Sequence, residues 1–539
     1  MTGKPQRVLL RGGSVYTQAS PFATALLTVG GEVAWVGRDE ATLAFAETAD
    51  LVVDLAGSLV TPGFVDAHSH LGQTGFALQS LDLASARCVD DALDALAAFA
   101  RRHTGSVLFA YGWDESLWPE GRAFTIDELD AAVGHTVAYV ARVDSHSAVI
   151  SSALLARDRS IADRDGWLGD GLVVRDAHHG ARTVTHVMWT AADREAALRT
   201  ALGHAGSLGI TSLHELNAPH IAPFSDFTAL QAIAAETPGP EVVPYWGALL
   251  GGDVDDLAAR DVLGFAGDLC VDGAVGSRTA CMHDPYADAD TRGYLYLDRE
   301  QVAEHVVFCT VRGLQAGFHV IGDRAMAETV AGLESAAARV GVDAMVAARH
   351  RLEHVEMPTP RHLEVMARLG VAASVQPAFD AAWGAAGGLY ERRLGHDRAW
   401  PMNPFGAMLR AGVILAFGSD SPITPLGPWA GVRAATSHHD EGQWLTVREA
   451  FDAHTRGGHQ ARRNDSGGVL APGAPASYAV WAVDGQPTVQ TPDERRSNDP
   501  RVGVPVLPDL DTSLPTCLQT VVAGARIFDA EQLCEARTR

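Results

Sequence analysis

Apolar runs of strand length alternate with longer segments of helical pattern from residue 63 to residue 463. This alternation is typical of a parallel sheet whose strands are connected by helices. Eight runs in this rhythm predict an α/β fold, a closed (β/α)8 barrel of the TIM type, with its functional site at the carboxyl ends of the strands. We place these runs at residues 64–70, 209–215, 242–247, 269–273, 316–319, 351–354, 371–376 and 414–420.

The two ends of the chain have a different pattern. Residues 1–62 and 464–539 contain short apolar runs separated by turn residues, including Gly12-Gly13 and Gly30-Gly31, which favour hairpins. We expect these two segments to build one small β domain together. Residues 483–515 are rich in Pro, Asp and Ser, so we predict an exposed loop there.

Residues 71–208 are too long for a single strand-to-strand connection, so we predict an insertion folded over the barrel mouth. Helical stretches are expected within it, for example at 90–102. Thr125 and Glu128 have the spacing of a capping box. Trp113 and His146 are candidates for the wall of a substrate pocket, with core packing as the alternative for Trp113.

Composition and charge narrow the possible partners. The 539 residues are 47% hydrophobic with a net charge of −24, which argues against nucleic acid and anionic membranes. No apolar run is long enough to span a bilayer, and the six cysteines form no CxxC pair. We expect a cytoplasmic protein that acts on a small molecule, and a homodimer from its size and fold.

Polar residues lie at matching ends of the predicted strands. His68 and His70 are two residues apart on the first strand, so both side chains point to the same face, with Cα atoms about 6.5 Å apart. His319, His354 and Asp420 end the fifth, sixth and eighth strands. Any one of them alone is more often a satisfied core or loop residue, but five at one end of a barrel predict a site for a divalent metal. Imidazole and carboxylate ligands suit zinc, which we expect first, or iron, nickel or manganese.

Five segments together resemble the amidohydrolase superfamily, in particular the amidohydrolase family 3 branch that includes N-substituted formamide deformylase-like enzymes. They are VTPGFVDAHSH at 60–70, DGAVGSRTA at 272–280, FHVIGD at 318–323, RLEH at 351–354 and FGSDSP at 417–422. The resemblance implies a metal-dependent barrel with a β-sandwich built from both termini. It also implies His68, His70, His319 and His354 as metal ligands, with Asp420 as ligand and general base.

One position departs from the family pattern. Many members have a lysine four residues before the Asp-Gly pair which, once carboxylated, bridges two metal ions. Asp268 occupies that position here, and the single lysine of the chain, Lys4, lies at the amino terminus. Asp268 or, less favoured, Glu215 could supply a bridging carboxylate. We favour the other alternative, one metal ion, with two as the remaining possibility.

Several other residues are candidates for substrate contact. Asp272, Ser277 and Arg278 follow the predicted fourth strand on a Gly-rich loop, and Gln376 ends the seventh. For Asp272 and Ser277 an equal alternative is a loop held by its own hydrogen bonds. Surface or helix positions are assigned by default to six other histidines: His204, His214, His220, His350, His438 and His439.

The leading hypothesis is a hydrolase acting on a non-peptide C–N bond, of the amide or formamide type, with water activated by the metal. Asp420 would be the general base, and His354 would help to hold the carbonyl. Two alternatives stay open: a metal-dependent isomerase or lyase on the same site, and a non-catalytic binding homologue.

Overall fold

The computed structural model describes residues 6–20, 22–249, 262–484 and 507–537. Its centre is an eight-stranded parallel sheet in sequence order, and a parallel bridge between Ser69 and Ser421 connects its two edge strands. This confirms the predicted TIM-like barrel. The strands are Phe64–Ser69, Ile210–Asn217, Glu241–Trp246, Gly264–Phe265, Gln315–Val320, Arg351–His354, Ala372–Val375 and Leu415–Phe417.

The fourth strand is not where the sequence predicted it. It consists of Gly264–Phe265 alone, and residues 269–273 form a loop that touches the fifth strand through a single bridge from Cys270 to His319. The chain turns at Gly267, whose φ of 98° is a conformation that favours glycine. The prediction for 269–273 was therefore wrong, because the apolar run that follows this turn packs as a loop.

Helices surround the barrel and connect its strands. Several of these helices begin with a capping box, for example at Thr359 and Thr446. The barrel helices are Leu71–Leu78, Ala191–Ser207, Ser225–Glu236, Arg299–Val311, Asp323–Val340, Val342–Ala348, Pro360–Arg368, Pro377–Trp383, Leu389–Leu394, His396–Ala399, Phe405–Arg410, Pro428–Thr436, Val447–Asp452 and Gly458–Ala461, with a π-turn at Ala453–Gly457 and a 3-10 turn at Glu441–Gln443.

Both ends of the chain contribute to two five-stranded sheets. Gly30-Gly31 closes the predicted hairpin between Ala25–Val29 and Glu32–Gly37, whereas Gly12-Gly13 marks the passage from one sheet to the other. The remaining terminal elements are strands Arg7–Arg11, Ser14–Val15, Leu51–Asp54, Leu59–Pro62, Tyr478–Ala482, Thr516–Val522, Ala525–Asp529 and Cys534–Arg537, helix Leu43–Ala46 and the turn Asp39–Ala41.

Most of the predicted loop at 483–515 lies outside the described residues. At its described end, Leu507 and Leu510 are each 2% exposed and pack against the main core. These two leucines are buried, contrary to the prediction, whereas Asp509, Asp511 and Thr512 in the same loop are exposed as predicted.

The insertion contains a mixed five-stranded sheet that the sequence did not predict. Trp113 is 1% exposed and packs beside Trp118 and Phe124, while the predicted capping box at Thr125 is present. The elements are strands Leu81–Asp82, Leu108–Trp113, Ala138–Arg142, Ser147–Ile150 and Leu172–Val174, helices Val89–Ala100, Ile126–Val133, Ser152–Leu155 and Arg175–Met188, and turns Glu115–Leu117 and Arg159–Asp163.

Among the helices of the described residues, none is both long and apolar enough to cross a membrane.

Candidate metal centre

The structure brings the histidines and carboxylates at the strand ends into one buried cluster. Asp420 Oδ1 lies 3.0 Å from His70 Nε2 and 3.3 Å from His68 Nε2. The rings of His319 and His354 are 4.4 Å apart between centroids, and the His354 ring is 5.0 Å from that of His68. Side chains from four different barrel strands therefore converge at one end of the barrel.

Asp268 lies inside this cluster. Its Oδ2 is 3.4 Å from His70 Nε2, and its Oδ1 is 3.7 Å from both His68 Nε2 and His319 Nδ1. The turn at Gly267 carries it inward, and a Cβ at that glycine would lie 2.9 Å from the Leu216 side chain. Because the fourth strand ends early and the chain turns inward, Asp268 lies among the imidazoles even though an aspartate side chain is short.

The donor atoms of this cluster fit a divalent metal. Potential ligand atoms form three overlapping groups, each within 4.8 Å: His68, His354 and Asp420; His68, His70 and Asp268; and Asp268, His319 and His354. Several buried atoms of the cluster make no hydrogen bond within the described residues, namely His68 Nε2, His70 Nδ1, His319 Nδ1, His354 Nε2 and Asp268 Oδ1. Leaving such atoms unpaired is costly, so the arrangement is suited to holding a cation.

Two ligand candidates are oriented by buried partners. His68 Nδ1 is 2.9 Å from Glu353 Oε2, and Arg351 contacts the same carboxylate at both oxygens. His354 Nδ1 is 2.9 Å from Gln376 Oε1. Each contact occupies one ring nitrogen and leaves the other directed into the cluster, as is common around protein-bound metals. Gln376 therefore contacts His354, where the sequence suggested a contact with substrate.

Electrostatics keep the cluster carboxylates ionised. Burial alone would raise the pKa of Asp420, but the imidazoles of His68 and His70 lower it below its usual range. Asp268 shows the same balance, with burial opposed by His70 and His319. Burial, and then the charges of His319 and His68, lower the pKa of His354 to about 3. Burial lowers the pKa of His68, His70 and His319, but the nearby carboxylates outweigh it and raise the pKa, so a divalent metal that binds here would displace the protons of these imidazoles.

Backbone conformation at the site is unusual. His354 and Asp420 have φ angles of 71° and 55°, a left-handed region that residues with a side chain rarely adopt. Such strain is commonly found at functional sites, where the surrounding structure holds it in place.

Two cavities adjoin the cluster. One, of about 350 Å³, has apolar walls that include Phe379, Trp383 and Tyr390. The other, of about 520 Å³, is polar and extends to the insertion helix Arg175–Met188. His146, His319, Asp420, Asp144 and Ile423 line both cavities, so the two meet at the cluster.

The loop residues predicted to contact substrate are engaged by the chain itself. Asp272 is fully buried and accepts hydrogen bonds from the backbone N–H groups of Cys281, Ile321 and Gly322. Ser277 donates to Asp144 of the insertion. These contacts correspond to the alternative of a loop held by its own hydrogen bonds.

Arg278 and Trp113 also have protein partners. The guanidinium of Arg278 pairs with Asp288, and the Trp113 indole N–H donates to the carbonyl of Val140. Trp113 therefore packs in the core of the insertion. His146 differs from these residues, because it lines both cavities and its ring lies 5.1 Å from that of His319.

The histidines given default surface or helix positions include several buried ones. His214, His350 and His438 are at most 2% exposed, so the assignment to the surface was wrong for them. His220 lines the polar cavity together with His178, His179 and Arg182. The spacing of His178 and Arg182, four residues apart on one helical face, was an available signal for part of this wall.

A barrel of this architecture with such a cluster at the carboxyl ends of its strands defines a metal-dependent enzyme of the TIM-barrel class. The model of the Amidohydrolase family matches residues 51–528. The chain belongs to the amidohydrolase family, which confirms the resemblance seen in the sequence motifs.

Known proteins with similar sequences or structures agree with this assignment. The "Putative amidohydrolase YtcJ" of Bacillus subtilis (strain 168) is 27% identical over 477 residues, covering 80% of this chain and 85% of YtcJ. The N-substituted formamide deformylase of Arthrobacter pascens is 29% identical over 136 residues, or 25% of each chain. The crystal structure of an uncharacterized metal-dependent hydrolase from Pyrococcus horikoshii has a TM-score of 0.70 and 25% identity, covering 89% of this chain and 98% of that one.

Proposed function

We propose that this chain is a metal-dependent hydrolase that cleaves a non-peptide C–N bond, of the amide or formamide type, in a small molecule. The observation that carries this proposal is the convergence of four imidazoles, Asp268 and Asp420 where an apolar and a polar cavity meet. Family membership supports hydrolysis. The N-substituted formamide deformylase relative supports the bond type over the part of the chain that it matches.

The residues that would hold the metal are His68, His70, His319, His354, Asp268 and Asp420. A divalent ion bound there would acidify a water molecule and polarise the substrate carbonyl. Zinc is the first choice for this mixture of imidazole and carboxylate donors. The sequence favours one ion, but the position of Asp268 supports two. It lies between the pair His68 and His70 and the residue His319, as a shared carboxylate would.

Asp420 moves the proton in the proposed reaction. Its ionised carboxylate, at the junction of the cavities, accepts a proton from the water that attacks the carbonyl carbon. As the C–N bond breaks, Asp420 returns that proton to the leaving nitrogen, which gives a carboxylic acid and an amine. Gln376 fixes the ring of His354, so that its other nitrogen is directed toward the site of the metal.

The test is hydrolysis of N-formyl and N-acyl compounds by the metal-loaded protein in water enriched in 18O. We expect one solvent oxygen in the released acid. Asp420→Asn should lower kcat by at least about 100-fold, the usual contribution of a general base. Asp397→Asn, at an exposed position, is the matched control and should keep full activity. Product without solvent oxygen, or normal turnover by folded Asp420→Asn, would overturn the proposal.

A further inference from the structure

Arg182 has an unusual environment for an arginine of this acidic protein. The chain has 66 acidic and 42 basic residues, and most buried arginines pair with a carboxylate, as Arg142 does with Asp114, Glu115 and Asp144. Arg182 has no such ion pair to another described residue. Arg182 is half-buried, donates to the side-chain oxygen of Gln73 at 3.3 Å, also contacts Tyr139, and lines the polar cavity.

The groups around Arg182 are hydrogen-bonding but uncharged. His178, His179 and His220 line the same wall of the cavity. Burial, and then the nearby Arg182 guanidinium, lower the pKa of His179 to about 4, and burial likewise lowers that of His178 and His220. Near neutral pH the wall therefore combines one fixed positive charge with neutral imidazoles that can donate or accept hydrogen bonds.

The cavity lining also includes three carboxylates. Asp268 and Asp420 belong to the proposed metal site, and Asp144 is already paired with Arg142 and Ser277. These three carboxylates therefore have partners in the metal-loaded protein, and Arg182 is the charged group of the described lining that remains to attract a negatively charged part of a ligand. A single guanidinium without a second cation matches one negative charge, and its planar fork suits the two oxygens of a carboxylate.

We propose that Arg182 binds a carboxylate of the substrate, so that this enzyme acts on N-acyl compounds bearing an acid group on the polar side of the scissile bond. The inference rests on the proposed function for the position of that bond. The apolar cavity around Phe379 and Trp383 receives the other part of the substrate. Arg182 is a specificity-determining residue in this arrangement, and it takes no part in moving protons.

The probes are 3-benzoylpropionate and its carboxamide. In this pair a CH2 group replaces the nitrogen of N-benzoylglycine, so the bond under study cannot be hydrolysed, and only the charge differs between the two probes. Binding to the metal-loaded protein is measured by calorimetry. We expect the carboxylate to bind about 10- to 100-fold more tightly than the amide, the usual effect of a hydrogen bond between charged groups.

Three variants locate the effect. Arg182→Met should reduce carboxylate binding to the level of the amide and leave amide binding unchanged, while Arg182→Lys should keep part of the preference. Arg339→Met, at an exposed surface pair, is the matched control and should retain it in full. If Arg182→Met kept the full preference for the carboxylate over the amide, the carboxylate would be bound by the metal and the proposal would be wrong. A wild type that binds the acid no better than the amide, including no binding of either, would also overturn it.

Failure of this inference can be told apart from failure of the proposed function. A carboxylate preference that depends on Arg182, without hydrolysis of any N-acyl compound, would retain the binding role and remove the reaction. Hydrolysis of neutral amides as fast as of acidic ones, with Arg182→Met at normal kcat/KM for both, would retain the reaction and remove the binding role.

Discussion

His68 Nδ1 lies 2.9 Å from Glu353 Oε2 in the interior of the barrel, where both side chains are fully buried. Arg351 holds the same carboxylate through its guanidinium and also donates to the backbone carbonyl of Ala67. Burial would raise the pKa of Glu353, but Arg351 and His68 lower it to about 2. An ionised carboxylate therefore accepts a hydrogen bond from His68 Nδ1–H, and His68 Nε2 remains available to bind a metal.

Glu353→Gln should weaken metal binding, because the neutral amide orients His68 less firmly and makes its ring less basic. Loss of such an outer carboxylate commonly costs 10- to 100-fold in metal affinity. We expect a decrease of about that size, measured by competition with a chelator of known affinity. The variant should also be less stable, by about 3–5 kcal/mol, because the buried Arg351 loses its charged partner.

Glu334→Gln is the control for this substitution, since Glu334 pairs with Arg361 and Arg368 at the surface. It should leave metal affinity unchanged. A folded Glu353→Gln protein with the metal affinity of the wild type would show that His68 needs no help from this carboxylate.

Asp268→Asn tests the number of ions. If Asp268 is shared between two ions, the wild type should hold about two metal equivalents per chain and the variant about one, because a neutral amide is a poor bridging ligand. Elemental analysis after gel filtration measures both, with Asp397→Asn as the surface control. A single equivalent in the wild type that survives the substitution would favour the mononuclear alternative.

The barrel could be predicted because its strands are continuous apolar runs bounded by clear turn and capping residues. The fourth strand could not, because Gly264–Phe265 is too short to form a recognisable run, and the longer apolar stretch at 269–273 follows it. In the insertion, residues such as those of Leu108–Trp113 form a strand only by pairing with distant partners in the same sheet. Local pattern does not contain that information.

The residues of the candidate metal centre could be predicted, because histidines at strand ends are seldom needed for packing. The polar wall of the cavity around Arg182 could not be predicted. Arg182 lies on an insertion helix whose sequence separation from the barrel motifs is large, and only the fold brings it to the mouth. Asp272 is the opposite case. Its position in a conspicuous motif suggested substrate contact, but its carboxylate accepts hydrogen bonds from three backbone N–H groups.

Asp272→Ala should destabilise the protein strongly, because it would leave the amides of Cys281, Ile321 and Gly322 buried without an acceptor. Unsatisfied buried donors cost about 1–3 kcal/mol each, with some relief from relaxation, so we expect a loss of about 3–5 kcal/mol in the free energy of unfolding. Urea denaturation measures it. Little loss of stability together with a large increase in KM would instead support a substrate contact.

His439 provides a test of pH dependence away from the cluster. Its Nδ1 lies 2.5 Å from Asp380 Oδ1, and its Nε2 lies 2.8 Å from the carbonyl oxygen of Trp400. Both neighbours accept hydrogen bonds, so both ring nitrogens must carry a proton for the two contacts to form. His438 Nε2 is a second imidazole near Asp380, at 3.2 Å. Burial lowers the pKa of His439, but the contacts with Asp380 and Trp400 outweigh it and raise the pKa.

A folded-state pKa above the ordinary 6.5 means that the folded protein binds this proton more tightly than the unfolded chain. The stabilisation by His439 should therefore be complete below about pH 6.5 and decrease as the pH rises through the folded-state pKa. His439→Gln should lower Tm most at about pH 5.5, and the difference from the wild type should narrow toward pH 9. Thermal unfolding of the wild type and the variant across this range measures it. A Tm difference that is constant or grows with pH would mean that His439 is neutral in the folded state.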